Sequence, residues 1–498
     1  MILRWITAML VLFGRQGWGW ADPVLKIEGI HLSGYTAVEK STVRDLLDVG
    51  AGDVFVQGKL EAGIERVLTF YENHGYPFAA VRIERIALTS PRGVEIDLGI
   101  DEGPRVTIGV LRVRGNTATR EEVILRELRV HPGDLYDQRR IERGLRYVEQ
   151  LEFIERVDPP EIQYDPHQGT ATVVVPIQEG QTSRINAVVG YVPGADTEKG
   201  RFTGLVDLAL GNLLGTGRNI VAKWERRDPQ TSKLSVAYRE PWVLGFPVNF
   251  GGRFGQQQRP GYTRTTTSLG IDFPVSERLR GMVKIGWEHT IPDSAGRFVM
   301  PKSRTWIGGF TLVYDTRDER ANPRRGLLYR SSAEIGFSRI SVSDQNRTDR
   351  RRYELDLEQF LPLGRKQVIA LGFHGAAMQS DEPVLPISEK LYLGGTRSLR
   401  GYREEQFPAS RMVWMNLELR HRLGRGSRAF LFLDGGYYAD RRTWAGSEDI
   451  RTVEEFKWGY GCGVRLQVRT GILGIDYGLG EGDGFLDGKV HVGIVNSW

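Results

Sequence analysis

A long region in which apolar and polar residues alternate constrains the fold more than any other feature of this sequence. Beyond about residue 181, apolar side chains occupy every second position of successive segments. In residues 457–468, for example, they alternate with glycine, lysine, arginine and glutamine. A period of two residues predicts β-strands with one apolar face and one polar face. We count sixteen such segments, and the alternation alone fits either a soluble sandwich or a membrane barrel.

Strand length and connections separate these two folds. Sixteen segments in residues 181–498 leave about 20 residues for each strand with its connection, which suits the ~10-residue strands of outer-membrane barrels. Short turns at one end and long loops at the other are also typical of such barrels. We expect short connections at 276–278, 422–427 and 469–471, and long ones at 256–265, 338–351 and 378–410. The sequence therefore predicts a 16-stranded antiparallel transmembrane β-barrel at 181–498, with both chain ends of the barrel on the periplasmic side.

A pattern that precedes this region occurs twice. Residues 27–36 resemble residues 108–117, and the same offset of 81 residues relates 52–55 to 133–136. The periodicity of each copy predicts a strand, two helices and two strands, and in the second copy Thr119 with Glu122 indicates a capping box. We therefore expect two α+β modules, at 22–103 and 104–180. Each is either a spacer or a binding arm whose strand edge accepts an extended client segment.

The N-terminus has the layout of a secretory signal peptide. One positive charge precedes an apolar stretch, and small residues stand before a cleavage site that we predict after Ala21. The apolar stretch is too short for a membrane anchor, and no later apolar run approaches the ~20 residues of a membrane helix. The segment 1–21 is therefore expected to direct the chain out of the cytoplasm.

Composition argues against several classes of function. The single Cys462 excludes an internal disulfide, and the eight histidines show no metal-ligand spacing. The net charge of +5 has no Lys/Arg block behind it, so no nucleic-acid partner is indicated. The carboxylates Glu354, Asp356 and Glu358 alternate with apolar residues, and a charged lumen wall explains them better than acid/base catalysis. We expect no enzyme activity, no metal and no cofactor.

Leu399, Arg400, Gly401 and Tyr402 lie in the longest loop. They resemble the loop motif of the BamA/TamA outer-membrane assembly family, whose barrels are of the surface-antigen type. A later strand carries the lumen partner motif, Phe432, Asp434 and Gly436, and the last strand, with Gly493 and Trp498, resembles an outer-membrane recognition signal. The predicted mid-barrel turn resembles the corresponding turn of the family at Asp315, Arg317, Asp318, Pro323 and Gly326. The repeated modules resemble POTRA (polypeptide-transport-associated) domains.

This resemblance implies the function and location of the chain. The protein is expected in the bacterial outer membrane, with its POTRA-like βααββ modules in the periplasm. There the modules would receive unfolded outer-membrane or secreted proteins, with periplasmic chaperones or accessory proteins and outer-membrane lipid as further partners. A weak seam between the first and last barrel strands would then insert or translocate these clients.

The alternative is a two-partner secretion transporter, which exports one dedicated protein and also has two POTRA domains. Such transporters usually carry a plug helix ahead of the first module. Here the first strand is predicted near Leu25, directly after the predicted cleavage site, which favours the assembly factor. Two modules are also fewer than the three of TamA or the five of the best-known BamA proteins, so the subfamily stays open.

The loop and strand motifs predict one specific contact. Leu431 and Leu433 occupy the lipid side of their strand, which turns Asp434 into the lumen. A carboxylate in a narrow lumen needs a partner, and a guanidinium offers two parallel hydrogen bonds. We therefore expect the long loop to fold into the barrel and Arg400 to pair with Asp434, as the resemblance also implies.

Overall fold

The computed structural model describes residues 24–180, 183–192, 201–226, 228, 230–298, 301–340, 347–424, 426–443, 449–468 and 471–495. These form two compact units. One contains the chain up to Gly115 with Leu128–Val148 and Val157–Ile177, and the other contains Asn116–Glu127, Glu149–Arg156 and the chain from Gln178 onward. The predicted signal peptide lies outside the described residues.

The first module is a small sheet covered by two helices. Its elements are β1 (Lys26–Ser33), α1 (Lys40–Leu47), α2 (Gln57–Glu72), β2 (Ala80–Ser90) and β3 (Gly93–Asp101). β3 is central, parallel to β1 and antiparallel to β2, so one edge of β2 is unpaired in this sheet. The helices contribute Val43, Leu47, Leu60, Val67 and Tyr71 to a core built on the inner faces of β1 and β3.

The second module repeats this order with one extra short strand. Its elements are β4 (Thr107–Arg114), α3 (Glu121–Leu128), α4 (Gln138–Glu149), β5 (Ile154–Val157), β6 (Glu161–Asp165) and β7 (Thr170–Glu179). β7 is parallel to β4 and antiparallel to β6. The capping box expected at Thr119 is wrong, because α3 begins only at Glu121 and the Thr119 hydroxyl instead accepts a hydrogen bond from Asn212.

A glutamate at the end of each module holds the turn that follows the first strand. Glu102 accepts hydrogen bonds from the Thr36 hydroxyl (2.7 Å), the Ala37 N–H (2.9 Å) and the Tyr71 hydroxyl (2.9 Å). Glu179 accepts from the N–H groups of residues 117–119. Burial opposes ionisation of both carboxylates, but these hydrogen bonds outweigh it. They lower the pKa of Glu102 and lower that of Glu179 to about 2.

Sixteen of the strands that the structure describes beyond residue 180 form one antiparallel sheet, which confirms the predicted architecture. The strands are β8 (Ser183–Val192), β9 (Arg201–Leu213), β10 (Arg218–Arg226), β11 (Ser232–Glu240), β12 (Asn249–Arg259), β13 (Tyr262–Pro274), β14 (Leu279–Pro292), β15 (Ser303–Asp315), β16 (Gly326–Ile340), β17 (Arg347–Pro362), β18 (Gln367–Ser380), β21 (Arg411–Arg422), β22 (Arg428–Thr443), β23 (Ile450–Val468), β24 (Gly471–Gly480) and β25 (Lys489–Val495). Between β18 and β21, the short strands β19 (Leu391–Leu393) and β20 (Phe407–Ala409) pair with each other. Short 3-10 helices lie at Val243–Gly245, Gly296–Phe298 and Phe485–Asp487.

One connection that was expected to be a long loop is a short turn. The connection predicted at 256–265 is a tight hairpin, because β12 and β13 stay paired up to Arg259 and Tyr262. Only Pro260 and Gly261 connect them, and Gly261 has the positive φ (95°) that such a tight turn requires. The connection predicted at 338–351 is also shorter, since β16 ends at Ile340 and β17 begins at Arg347.

The two faces of the sheet differ as the alternation predicts. On β22, Leu431 and Leu433 are exposed on the outer face. Asp434, the residue after Leu433, points to the inner face and is buried. Cys462 of β23 pairs with Leu431 and is exposed on the same outer face. The outer face is therefore apolar and suited to lipid, and the inner face lines the lumen.

The described part of the chain contains no helix that is both long enough and apolar enough to cross a membrane.

Candidate functional site

The long connection between β18 and β21 folds back against the inner face of the barrel. We call residues 391–409 the inward loop. Its ends pair as β19 and β20, and its buried side chains pack with those of the barrel wall. This cluster consists of Leu391, Leu393, Leu399, Tyr402 and Ala409 from the loop and Ala376, Met412 and Tyr438 from the wall. The inward loop is thus held by a buried apolar cluster that it forms with the barrel wall, unlike a solvated extracellular loop.

Arg400 lies at the tip of the inward loop and meets Asp434. Its Nε and Nη2 donate to the two carboxylate oxygens of Asp434, each at 2.7 Å, and its backbone N–H donates at 3.0 Å. The side chains of Arg400 and Asp434 are 4% and 0% exposed. The predicted pairing is therefore present in the structure, as a bidentate ion pair sealed from water.

Further side chains contact this pair. Arg400 Nη1 donates to Glu418 Oε1 at 2.7 Å, and Asn416 Nδ2 donates to Asp434 Oδ1 at 2.7 Å. The Phe432 ring lies under the guanidinium, with its centroid 3.7 Å from Cζ, a cation–π contact. Because each charge has several partners, the desolvation cost of burial is offset here. Sequence reasoning missed Asn416 and Glu418, although both alternate with apolar residues on β21 and so face the lumen.

Glycines allow the backbone of the inward loop to touch the wall. Gly401 has φ 92°, and a Cβ there would lie 2.5 Å from the carbonyl carbon of Leu479. A Cβ on Gly459 would lie 2.1 Å from the Arg400 carbonyl oxygen. Tyr402 fastens the same region, since its hydroxyl donates to the Trp458 carbonyl at 3.0 Å. A side chain at either glycine would separate Arg400 from its partners.

The mid-barrel turn, residues 316–325, is built by its own polar side chains. Arg317 donates two 2.9 Å hydrogen bonds to Asp315, and Asp318 accepts the N–H of Arg324 at 2.9 Å. Gly326 (φ 111°) closes the turn, and Pro323 is buried. The fully buried Asn322, which the sequence did not indicate, donates to the carbonyls of residues 424 and 427. The five predicted residues therefore lie in one ordered turn and at the two strand ends that flank it, and this turn contacts another turn on the periplasmic side.

A second cluster forms where residues 116–127 meet the early barrel turns, within the same compact unit. Asn212 Nδ2 donates to the Thr119 hydroxyl at 2.7 Å, and the Arg120 N–H donates to the Gly215 carbonyl at 3.0 Å. Trp242 Nε1 donates to Glu127 at 2.6 Å. The sequence did not predict these contacts, because contacts between residues about 90 to 115 positions apart leave no periodic signal.

The sheet has two terminal strands. β8 pairs with β9 and β25 pairs with β24, and no pairing joins β8 to β25 among the residues the structure describes. Gly493 lies on β25 opposite Gly474, whereas Trp498 is outside the described residues. An unpaired strand edge presents free N–H and C=O groups, which is a template for a further strand.

The described residues contain no group of three His, Cys, Asp or Glu side chains placed to hold a metal ion.

Comparison with known families identifies both parts of the chain. A model described as the Omp85 superfamily domain matches residues 212–498, and one described as the surface antigen variable number repeat (POTRA) matches 25–103 and 106–180. The chain belongs to the Omp85 superfamily. It is an outer-membrane protein of the BamA/TamA type, with POTRA modules in the periplasm.

Curated relatives include two proteins called outer membrane protein assembly factor BamA. The one from Nitratidesulfovibrio vulgaris is 22% identical over 85% of this chain and 55% of its own length. The one from Neisseria meningitidis is 24% identical over 78% of this chain and 50% of its own length. The chain thus spans about half the length of the curated relatives it matches.

Solved structures share the fold. BamA from Haemophilus ducreyi lacking POTRA domains 1–3 superposes with a TM-score of 0.60 at 18% identity, over 94% of this chain and 98% of that one. CdiB from Escherichia coli superposes with a TM-score of 0.53 at 14% identity, over 97% and 92%. At these identities the likeness concerns the fold alone.

Proposed function

We propose that this protein is an outer-membrane assembly factor that receives unfolded client proteins at its POTRA modules and inserts them into the membrane at the seam between β8 and β25. The observation that carries the proposal is a membrane sheet with two terminal strands and no described pairing between them. A strand edge exposed to lipid is unstable because its backbone groups lack partners. An incoming client strand supplies them.

The inward loop supports this function by strengthening the wall beside the seam. Arg400 is held by carboxylates of β21 and β22, and Gly401 lies against β24, the strand next to β25. These contacts hold the strands next to the seam in one arrangement while the terminal strands exchange partners. The site residues therefore act as structural supports, and the function requires no catalytic group.

The first module offers a docking edge for an extended client. β2 is an edge strand of its sheet, and it carries the exposed apolar residues Ile83, Ile86 and Leu88. Addition of a strand to such an edge gives affinity through backbone hydrogen bonds and little dependence on client sequence. That property suits a factor that handles many clients. Periplasmic chaperones and accessory proteins are proposed to deliver them.

Site-specific photo-crosslinking tests the path of the client. A photoreactive amino acid is placed at Leu88 on β2, at Val188 on β8 or at Val492 on β25, all exposed positions. Leu431, on the outer face of β22, is the matched control. We expect an unfolded barrel client to crosslink at the first three positions and not at Leu431. Equal crosslinking at Leu431 would contradict the proposal.

The same experiment separates assembly from the export of one dedicated protein. Export moves the client through the lumen, where Glu354 lies on the inner face of β17. A photoreactive group at Glu354 that captures the client more efficiently than one at Val492 would favour the transporter. Capture at Val492 by several unrelated barrel clients would favour the assembly factor.

A further inference from the structure

The connection between β24 and β25, residues 481–488, places two bulky apolar side chains at the surface. Phe485 is 77% exposed and Leu486 is 93% exposed. The polar groups of the same connection are satisfied locally, because Asp483 accepts from the Gly480 N–H and from Lys489, and Asp487 accepts from the Gly484 N–H. The connection is therefore an ordered turn that presents its apolar residues outward.

This turn lies against the outer face of the barrel. Asp476 points into the lumen, where it pairs with Arg465 (2.6 Å), so the next residue on β24, Tyr477, points outward. The rings of Tyr477 and Phe485 contact each other with centroids 5.9 Å apart, and the Tyr477 hydroxyl donates to the Phe485 carbonyl. A Cβ on Gly488 would overlap the Tyr477 ring. The turn thus packs on the lipid side of the wall.

An aromatic pair on β23 indicates the level of this turn relative to the membrane. Trp458 and Tyr460 stack at 5.6 Å on the outer face, at the level where β24 ends, since Gly459 pairs with Gly480. Aromatic residues of this kind mark the boundary between lipid headgroups and hydrocarbon. Tyr477 pairs with Cys462, two residues further from the extracellular end. Phe485, whose ring contacts that of Tyr477, therefore lies on the hydrocarbon side of the boundary.

The apolar surface continues onto the terminal strand. Val490 and Val492 of β25 pair with Tyr477 and Ile475, the outward residues of β24, and both valines are more than 60% exposed. The pairing of β23 with β24 ends at Gly459 and Gly480, so the barrel rim is low here. The neighbouring strands β22 and β23 stay paired further, up to Thr443 and Ile450. Phe485 and Leu486 are thus continuous with the lipid-facing surface at the edge of the seam.

We propose that Phe485 and Leu486 insert into the acyl chains of the outer leaflet and anchor the rim of the barrel beside β25. The ligand is lipid hydrocarbon. It fits because the surface is apolar, lies below the aromatic boundary and is continuous with the transmembrane wall. The anchor keeps the extracellular end of the terminal strand at membrane level, and it does not depend on the assembly function proposed above.

Depth-dependent fluorescence quenching tests this proposal on the full chain. Leu486→Cys is made in a Cys462→Ser background, labelled with the fluorophore NBD and reconstituted into dioleoylphosphatidylcholine nanodiscs. Nitroxide-bearing lipid (5-doxyl) quenches from the upper acyl layer, and iodide quenches from water. Two positions on the outer face of β22 provide controls: Leu431→Cys for the hydrocarbon and Arg441→Cys, near the top of the strand, for water.

We expect the label at position 486 to lose at least half of its fluorescence with 5-doxyl lipid and to respond to iodide several-fold less than the label at 441. Quenching like that of 441 would overturn the proposal, and so would protection from both quenchers, which would indicate a covering protein such as a second copy. Phe485→Cys repeats the test one residue away, and heat-modifiable mobility in gels shows that each variant is folded.

Discussion

Two arginine–aspartate pairs have the same hydrogen-bond distance but lie in different surroundings. In the first module Arg85 Nε donates to Asp97 at 2.7 Å, and in the barrel Arg400 Nε donates to Asp434 at the same distance. The Arg85 side chain is 58% exposed, whereas that of Arg400 is 4% exposed. Loss of one partner from a buried pair costs about 3–5 kcal/mol, whereas water and ions screen an exposed pair. We therefore expect burial, and not distance, to decide the energy of these contacts.

The largest expected effect comes from removing Asp434. We expect Asp434→Ala to lower the free energy of unfolding of the barrel by about 3–5 kcal/mol, because Arg400 would remain buried with only Glu418 as a carboxylate partner. Urea titration of the detergent-solubilised protein, followed by heat-modifiable mobility, measures this. The double variant Arg400→Ala/Asp434→Ala should lose little more than either single variant.

A pair on the adjacent wall provides the control for that cycle. Arg352 and Glu354 form an ion pair whose side chains are about two-fifths exposed, so Arg352→Ala should cost at most about 1 kcal/mol. Fully additive losses at Arg400 and Asp434, or an equal loss at Arg352, would show that the buried pair is not special.

A smaller effect is expected from a change that keeps every charge. Gly459→Ala places a Cβ against the Arg400 carbonyl, and overpacking of this kind costs about 1–3 kcal/mol. We expect the inward loop to leave the wall more often and trypsin to cut faster after the exposed Arg403. Gly255→Ala is the control, since the atoms nearest to its added Cβ would be 3.9 Å away. Unchanged cleavage in Gly459→Ala would argue against a tight fit of the loop.

The strand pattern predicted the barrel because lipid and lumen impose opposite polarity on alternate residues. That rule ends where strands leave the hydrocarbon. The Gln256, Gln257 and Gln258 run is polar on both faces and suggested a loop, yet these residues continue the ladder of β12. Backbone pairing beyond the membrane needs no alternation, so the sequence showed the number of strands better than their extracellular ends.

The candidate site was predictable only where one strand or one loop carried the signal. Arg400 stood out through the length of its loop, and Asp434 through the alternation on β22. Asn416 also faces the lumen by alternation, but its place beside Asp434 depends on the register between β21 and β22. Gly459 matters because the Arg400 backbone crosses it. Register and crossing points are properties of the folded sheet, which one sequence does not reveal.

The carboxylates at the ends of the two modules make the stability of the modules depend on pH. Hydrogen bonds lower the folded-state pKa of Glu102 and Glu179. The ionised carboxylates therefore stabilise the folded state fully above the unfolded-state pKa of about 4.3. This stabilisation is lost as the pH falls through the folded-state pKa. We expect the fragment 22–180, produced on its own, to fold and to lose stability below about pH 5. Glu102→Gln should cost about 1.5–3 kcal/mol at pH 7 and flatten this dependence. Urea unfolding followed by circular dichroism measures both, and equal slopes in the two proteins would contradict the assignment.

The smallest effect is expected at the exposed pair. In the same fragment, Arg85→Ala should change the free energy of unfolding far less than Asp434→Ala does in the barrel, because water already solvates both partners. Added salt should reduce even this difference, since ions screen exposed charges within about 10 Å at 0.1 M. Asp97 would also keep its solvation after the change, unlike Arg400 after loss of Asp434. A loss at Arg85 as large as that of Asp434→Ala would mean that the equal 2.7 Å distance, and not burial, sets the energy of both pairs.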